Sequence, residues 1–446
     1  MTPEAALAYI EGLLTRARTA APGDERIKLR RVEDLLARIG SPERRVPTVL
    51  VAGTKGKGST AAMMASILQT AGFRVGLYTK PHLVDYRERV RVDGVLISPG
   101  ELAAVVEALV PHIEVMAPLP DGPPSYFEAS VAVAFQHFAR HAVDLALVEV
   151  GLGGRLDATN VADPIASVLT PVSYDHMHVL GTTLEAIARE KAGIVRHGGV
   201  VISAPQAPEA LAAIIEVCAR DHAELHLVHE RMRWEPAGGS LYEQSFTLRS
   251  PMRDYGRLRM PLIGAHQMLN AATGVAALEA LGERGFSVAD NAVAAGLAAL
   301  SWPARVEVVR EHPFVVVDVA HNPASLAALR ETLEALFPAR RIILVFGMVA
   351  THDHHASTSL IAPLADTVIV TTPHHLKPLP GAVLAEEVRR YVPRVEVIED
   401  REAAVDRALA LAGSDDVVVV TGSFFLVGDV RELLHRRALS ATRTHL

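Results

Sequence analysis

The chain has 446 residues, enough for two or three domains of about 150 residues each. Half of the residues are apolar, 21% are charged, and Gly and Pro number only 31 and 27, which excludes a disordered, collagen-like or low-complexity chain. The net charge is −7 with Lys and Arg scattered, so neither nucleic acid nor an anionic membrane is expected as the main partner.

At the N-terminus Glu4, Glu11, Arg16 and Arg18 interrupt the apolar pattern, leaving no core of a secretory leader, and no later run approaches the ~20 apolar residues of a membrane span. A soluble, cytoplasmic protein is the expectation. Residues 47–52 read as a strand, followed by a Gly-rich turn and a helix from about residue 59 to Gly72. Strand-length apolar runs at 74–79, 143–150, 165–170 and 199–203 alternate with helical patterns at 127–141, 183–195 and 208–220, while the four prolines of 118–124 mark a loop. Near-continuous apolar strands alternating with helices predict a doubly wound, parallel-rich sheet covered on both faces. The lone cysteine, Cys218, falls on the apolar pattern of its helix and reads as a buried structural thiol.

Residues 224–262 change to short, mixed strands before helices return at 264–281 and 288–300. Pro303 stops helical geometry and marks a boundary. A second alternating series follows, with strands at 314–319, 342–346, 367–371 and 417–421 and a helix at 401–412. Two domains are therefore expected, residues 1–300 and a smaller Rossmann-like α/β domain at 301–446.

The strongest chemical signal is VLVAGTKGKGST at 49–60. A glycine turn between a strand and a helix aims backbone N–H groups and a helix N-terminus at one spot, which suits phosphate. Lys57 would supply a point charge there and Ser59 or Thr60 a hydroxyl, although Gly58 takes the place where a hydroxyl directly follows the lysine in the strict phosphate-loop pattern. In a parallel sheet the loops after strand C-termini converge on the ligand, which promotes TKPHLVDYRERVRVDG at 79–94, EVGLGGRLDATN at 149–160, and Asp175 with His176. Glu128, at the start of a helix, and His176 could then share a hard divalent ion with phosphate oxygens; Mg²⁺ favours such sites.

Taken in order, GTKGKGST, PHLVDYRERVRVDG, YFE at 126–128, EVGLGGRLDATN, EKAGI at 190–194, GAHQMLNA at 264–271, WPARVE at 302–307, DVAHNP at 318–323 and TGSFFLVGDVR at 421–431 resemble the Mur ligase superfamily, most closely its folylpolyglutamate synthase and dihydrofolate synthase branch. The resemblance implies a Mur-ligase-like P-loop ATPase domain with a parallel-rich sheet plus a C-terminal Rossmann-like ligase domain. It implies an ATP-dependent ligase that makes an acyl phosphate on a folate or dihydropteroate carboxylate and transfers it to the amine of L-glutamate, acting as a monomer.

On that resemblance Gly53, Gly56, Lys57, Gly58, Ser59 and Thr60 hold the nucleotide phosphates, and Asn270, Arg305 and Asp318 contact the nucleotide. Glu128, His176 and Lys191 hold two Mg²⁺ ions, Lys191 as a carbamate. His321 sits near glutamate or nucleotide, and Leu156, Asp157 and Ala158 touch the pterin-bearing substrate. Two positions depart from the family's pattern. Lys80 stands where most relatives carry a serine Mg²⁺ ligand, and Thr351-His352-Asp353-His354-His355 replaces an Asp-Lys-Asp segment. A peptidoglycan-precursor ligase of the same superfamily, a P-loop kinase or nucleotide-hydrolysing switch, and a non-catalytic nucleotide-binding module are the competing readings.

Overall fold

The computed structural model describes residues 1–16 and 27–444; Arg18, one of the charges that interrupt the N-terminal apolar pattern, lies outside them. The chain divides into two compact units: Met1–Glu235 with Thr247–Leu258 and Leu269–Leu300, and Ser301–Leu446 with Pro236–Phe246 and Arg259–Met268. Both units are mixed α/β with a parallel-rich sheet.

The first unit is built on an eight-stranded sheet. Its strands are β1 (Thr48–Ala52), β2 (Val75–Tyr78), β3 (Val90–Val92), β4 (Val95–Leu96), β5 (Leu145–Glu149), β6 (Pro164–Leu169), β7 (Val200–Ser203) and β8 (Glu224–Leu227), in the order β4-β3-β2-β5-β1-β6-β7-β8. From β2 to β8 all pairings are parallel, and at the other edge β3 pairs antiparallel with both β2 and β4. Every residue of β1 and β5 is buried, which explains their unbroken apolar runs: each is central and covered on both faces. The crossover helices Lys57–Thr70, Tyr126–Arg140, Leu184–Ala192 and Pro208–Arg220 supply that cover. Cys218 is buried on the last of them, and burial pushes its thiol up to about 11.

Three short strands, β9 (Arg233–Gly239), β10 (Gln244–Arg249) and β11 (Asp254–Met260), form a separate sheet in the region read as mixed. The second unit carries six strands: β12 (Glu307–Glu311), β13 (Phe314–Val317), β14 (Ile342–Phe346), β15 (Thr367–Val370), β16 (Arg394–Val397) and β17 (Val417–Thr421). Their order is β12-β13-β17-β14-β15-β16, parallel throughout except for β12.

No helix among the described residues is long and apolar enough to cross a membrane. Within each unit the parallel strands point one way, so the loops leaving β1, β2, β5 and β6 share one sheet edge, and those leaving β13, β14 and β17 share one edge of the other sheet.

Candidate active site

At the end of β1 the chain turns through Gly53 and Gly56, with φ of 143° and 78°. These are backbone states that side chains rarely adopt, and space forbids a side chain as well. A Cβ on Gly53 would lie 2.8 Å from the Thr170 carbonyl oxygen, and one on Gly56 would lie 2.2 Å from Asn270 Oδ1. Gly56 also starts the helix Lys57–Thr70 and has no side chain to cap it, so the helix N-terminus is left open toward the turn. The Gly56 approach places Asn270 directly against the loop.

Gly58 lies in the first turn of that helix, and Ser59 and Thr60 are buried behind it. The Lys57 ammonium folds back onto the loop, donating to the Gly53 and Thr54 carbonyls at 3.2 and 3.3 Å. Three further polar atoms are buried here without a hydrogen-bond partner: Lys55 Nζ, Thr60 Oγ1 and Ser173 Oγ. Desolvation pulls Lys55 down to about 7, with Asp175 opposing that and Lys57 adding to it. A turn that buries an amine and two hydroxyls with nothing to bind is arranged for a ligand rich in acceptor oxygens. Lys55 was not singled out in the sequence, where Lys57 held the usual phosphate-loop place.

Lys191 approaches the same turn from the helix Leu184–Ala192. It is buried, donates to the Gly53 carbonyl at 2.9 Å, and is brought down to about 7 by desolvation first and by the Lys57 charge second. Its position is held by close backbone packing, since a Cβ on Gly154 would lie 2.5 Å from the Lys191 carbonyl and 2.7 Å from that of Glu190. His176 precedes the short helix Met177–Leu180 with φ of 49°, and its ring lies 3.7 Å from Asp175. Burial lowers its pKa; Asp175 opposes this, while Lys191 and Lys57 add to it.

Glu128 is placed differently from its expected role as a metal ligand. Arg31 grips both of its oxygens at 2.9 and 3.1 Å, and one of them also accepts the Ser125 N–H, completing a capping box at the start of the helix Tyr126–Arg140. With both oxygens committed, this carboxylate is a helix cap and the partner of a half-buried arginine. The carboxylate at the right sheet edge is Glu149. It is buried at the end of β5, pairs in register with Val51 just before the phosphate turn, and accepts the Lys80 N–H at 3.1 Å. A buried acid closing an otherwise apolar strand was the available signal.

Asp157 is buried and heavily bonded. It accepts the N–H groups of Gly151, Leu152 and Thr159, the Thr159 hydroxyl, and the Lys80 ammonium at 3.3 and 3.5 Å. Burial would raise its pKa, but the Lys80 charge and these donors hold it below the usual carboxylate range. Leu156 and Ala158 flank it, half-buried and buried. The Lys80 side chain is itself buried, and its Cε and Nζ lie 2.5 Å from where a Cβ on Gly151 would stand. The departure from serine thus plants a fixed ammonium among the strand-end carboxylates.

In the second unit, Asp318 leaves β13 and accepts the N–H groups of Val306 and Ala320 at 2.8 and 2.7 Å. It is buried, which raises its pKa against the opposing charge of Arg305. The Arg305 guanidinium lies 5.2 Å over the Phe424 ring. His321 contacts the Val319 carbonyl and packs against His352 and Phe424, with ring centroids 4.8 and 5.4 Å away. Arg305, Asp318 and His321 are therefore gathered at one sheet edge, joined by His352 from the segment to which no role had been given.

Two family models match the chain: "Mur ligase middle domain" over residues 126–278 and "Mur ligase, glutamate ligase domain" over 304–424. A Bacillus subtilis dihydrofolate synthase/folylpolyglutamate synthase is 35% identical over 91% of this chain and 94% of its own. The chain belongs to the folylpolyglutamate synthase/dihydrofolate synthase family. An Escherichia coli member is 33% identical over 98% of both chains. Among solved structures, a Mycobacterium tuberculosis folylpolyglutamate synthase complexed with ADP superposes with a TM-score of 0.88 at 31% identity, covering 97% of this chain and 99% of the other. Escherichia coli FolC in complex with DHPP and ADP gives 0.83 at 31% identity, covering 98% and 99%.

Proposed function

We propose that the chain joins L-glutamate to a folate, extending its glutamate tail, and to dihydropteroate, using ATP and releasing ADP and phosphate. The observation that carries this reading is the phosphate turn: an open helix N-terminus, two glycines that admit no side chain, and Lys55, Thr60 and Ser173 with buried atoms awaiting acceptors. The first unit, most of residues 1–300, then acts as the ATP-binding domain, and the second, 301–446 joined by Pro236–Phe246 and Arg259–Met268, as the ligase domain, in a monomeric cytoplasmic enzyme.

In the first step a substrate carboxylate oxygen attacks the γ-phosphorus as the bond to the β-phosphate oxygen breaks and ADP leaves. The transferring group is held rather than attacked by the protein, so catalysis rests on positioning and charge. Lys57 and Lys55 exchange loop carbonyls and apolar surroundings for phosphate oxygens, and the open helix end adds its N–H groups. In the second step the glutamate amine attacks the acyl carbon, phosphate leaves with the bonding pair, and the amine proton is lost. Asp157, whose oxygens are taken by Lys80 and the 151–159 loop, fixes the loop that faces the pterin-bearing substrate, and Asn270, Arg305 and Asp318 serve the nucleotide.

Two Mg²⁺ ions belong to this reading, and the residues present fit them unequally. Glu149 with His176 offers a hard carboxylate and an imidazole at the sheet edge beside the phosphate turn. Lys191 fits only as a carbamate, since an ammonium cannot ligate a cation. Its low pKa leaves a large neutral fraction near pH 7, and the neutral amine can add to CO₂ with loss of one proton. When bound, Mg²⁺ offsets the charge on the phosphoryl oxygens.

Incubation with MgATP, radiolabelled glutamate and either dihydropteroate or tetrahydrofolate tests the reading: label is expected in both acceptors. No incorporation into either, with ATP still bound, overturns it. Lys57→Ala is expected to lower turnover by at least ~10²-fold. Turnover near wild type in that variant would remove the phosphate-turn assignment.

A further inference from the structure

Outside this site, two helices of the first unit bring together three groups that the proposed ligation does not use. His137 and His141 lie four residues apart on the helix Tyr126–Arg140 and its C-cap, so both rings face the same way. Their centroids are 4.4 Å apart. Glu101, in the first turn of the neighbouring helix Pro99–Met116, points one oxygen at His141 Nε2, 2.8 Å away. Its other oxygen is committed to Ser98, accepting the backbone N–H and the hydroxyl of that residue's capping box. One ligand atom from each of the three residues lies within 4.8 Å of the other two.

His137 is the telling member. It is 2% exposed, and its Nδ1 is buried with no hydrogen-bond partner. A buried ring nitrogen with no partner is uncommon unless the ring has another task. Burial, reinforced by the neighbouring His141 and Arg140, holds His137 at about 4, so the ring is neutral at pH 7 and keeps a lone pair; Glu101 opposes that shift. Glu101, held down to about 2 by the Ser98 hydroxyl despite some desolvation, is an anion at the same pH.

We propose that Glu101, His137 and His141 form a binding site for a borderline divalent cation of the Zn²⁺ class. Two imidazoles and one carboxylate make the three-protein-ligand set that Zn²⁺ accepts, with water as the fourth ligand. Glu101 and His141 are partly open to solvent, as that water requires. Zn²⁺ would sit between Glu101 Oε1 and His141 Nε2, with any proton on that nitrogen moving to Nδ1, and one ring nitrogen of His137 would complete the protein ligands.

The site lies at the end of the helix that feeds the N-terminal end of β5, whereas Glu149 closes the opposite end of the same strand. Its role is therefore a staple between two helices, separate from ligation. It stands independently of the proposed activity.

The test uses the full chain, freed of metal by chelator and titrated with Co²⁺ as a spectroscopic stand-in. One equivalent is expected to produce tetrahedral ligand-field absorption that Zn²⁺ displaces, and Zn²⁺ is expected to raise the Tm. His141→Ala, at a partly exposed helix end, should weaken Co²⁺ binding at least ~10-fold and abolish the Tm rise while ATP binding is retained. Should that variant fail to fold, Glu101→Gln keeps a capping oxygen and carries the same test. Wild-type protein that binds no stoichiometric Co²⁺, or binding that persists unchanged in the variant that folds, overturns the site.

Discussion

Lys55 shows how much of this site is decided by single groups. Its ammonium is desolvated and has no partner, so the folded chain holds it near 7, whereas an unfolded chain leaves it at the ordinary 10.5. Between these values the unfolded state binds the extra proton, so this residue's contribution to stability falls as the pH drops from about 10.5 to 7 and is fully lost below 7. Lys55→Met is accordingly expected to raise the urea midpoint at pH 6 by more than at pH 10, and to weaken nucleotide binding. Equal midpoint shifts at the two pH values would show that the amine is not desolvated in solution. The residue scale is also where the sequence was least informative. Glu128 and Glu149 are both acids near sheet-forming segments, and nothing in their local sequence says that Arg31, 97 positions away, takes both oxygens of the first. Lys80 was legible as a departure, but its partner Asp157 emerged only from the fold.

At the scale of elements, strand positions were readable because central parallel strands must be apolar on both faces. Residues 342–346 and 417–421 were bounded as the structure has them, and the phosphate turn fell between the expected strand and helix. Edge strands β12 and β16 escaped because their partly exposed residues break the apolar run. The long helix Pro99–Met116, which carries Pro111 in its interior, was not among the expected elements either. Close packing between elements was invisible for a different reason: a glycine's neighbour is not written beside it. Gly154 sits where backbone meets backbone, and a methyl group there has only the Glu190 and Lys191 carbonyls to displace. Gly154→Ala is therefore expected to shift the end of the Lys191 helix and to lower kcat by about 10²-fold, because small misplacements in a positioned site are costly. Nucleotide affinity should change by much less, since Gly53 and Gly56 are themselves unaltered and only the Lys191 contact to the Gly53 carbonyl is loosened. Equilibrium nucleotide binding alongside steady-state kinetics separates the two, and an unchanged kcat would remove Lys191 from the chemistry.

Over the whole molecule, a net charge of −7 coexists with Lys55, Lys57 and Lys191 gathered around the phosphate turn. Overall acidity and a cationic site are compatible because the field that steers an anion is local. The second unit contributes its own set at one sheet edge, with Arg305 on the Phe424 ring and charge-coupled to buried Asp318. The part Arg305 plays in nucleotide binding can be tested on the full chain. Arg305→Ala leaves every residue of the phosphate turn in place, so a protein whose nucleotide were held by the first unit alone would keep its KM for ATP. If Arg305 contacts the nucleotide, the loss of a charge-assisted contact worth about 1.5–3 kcal/mol should raise KM for ATP by about 10- to 150-fold. Ser59→Ala, a change confined to the turn, should weaken ATP independently, so that the double variant shows the product of the two single losses. An Arg305→Ala enzyme with an unaltered KM for ATP would confine nucleotide binding to the first unit and leave Arg305, Asp318 and His321 to glutamate.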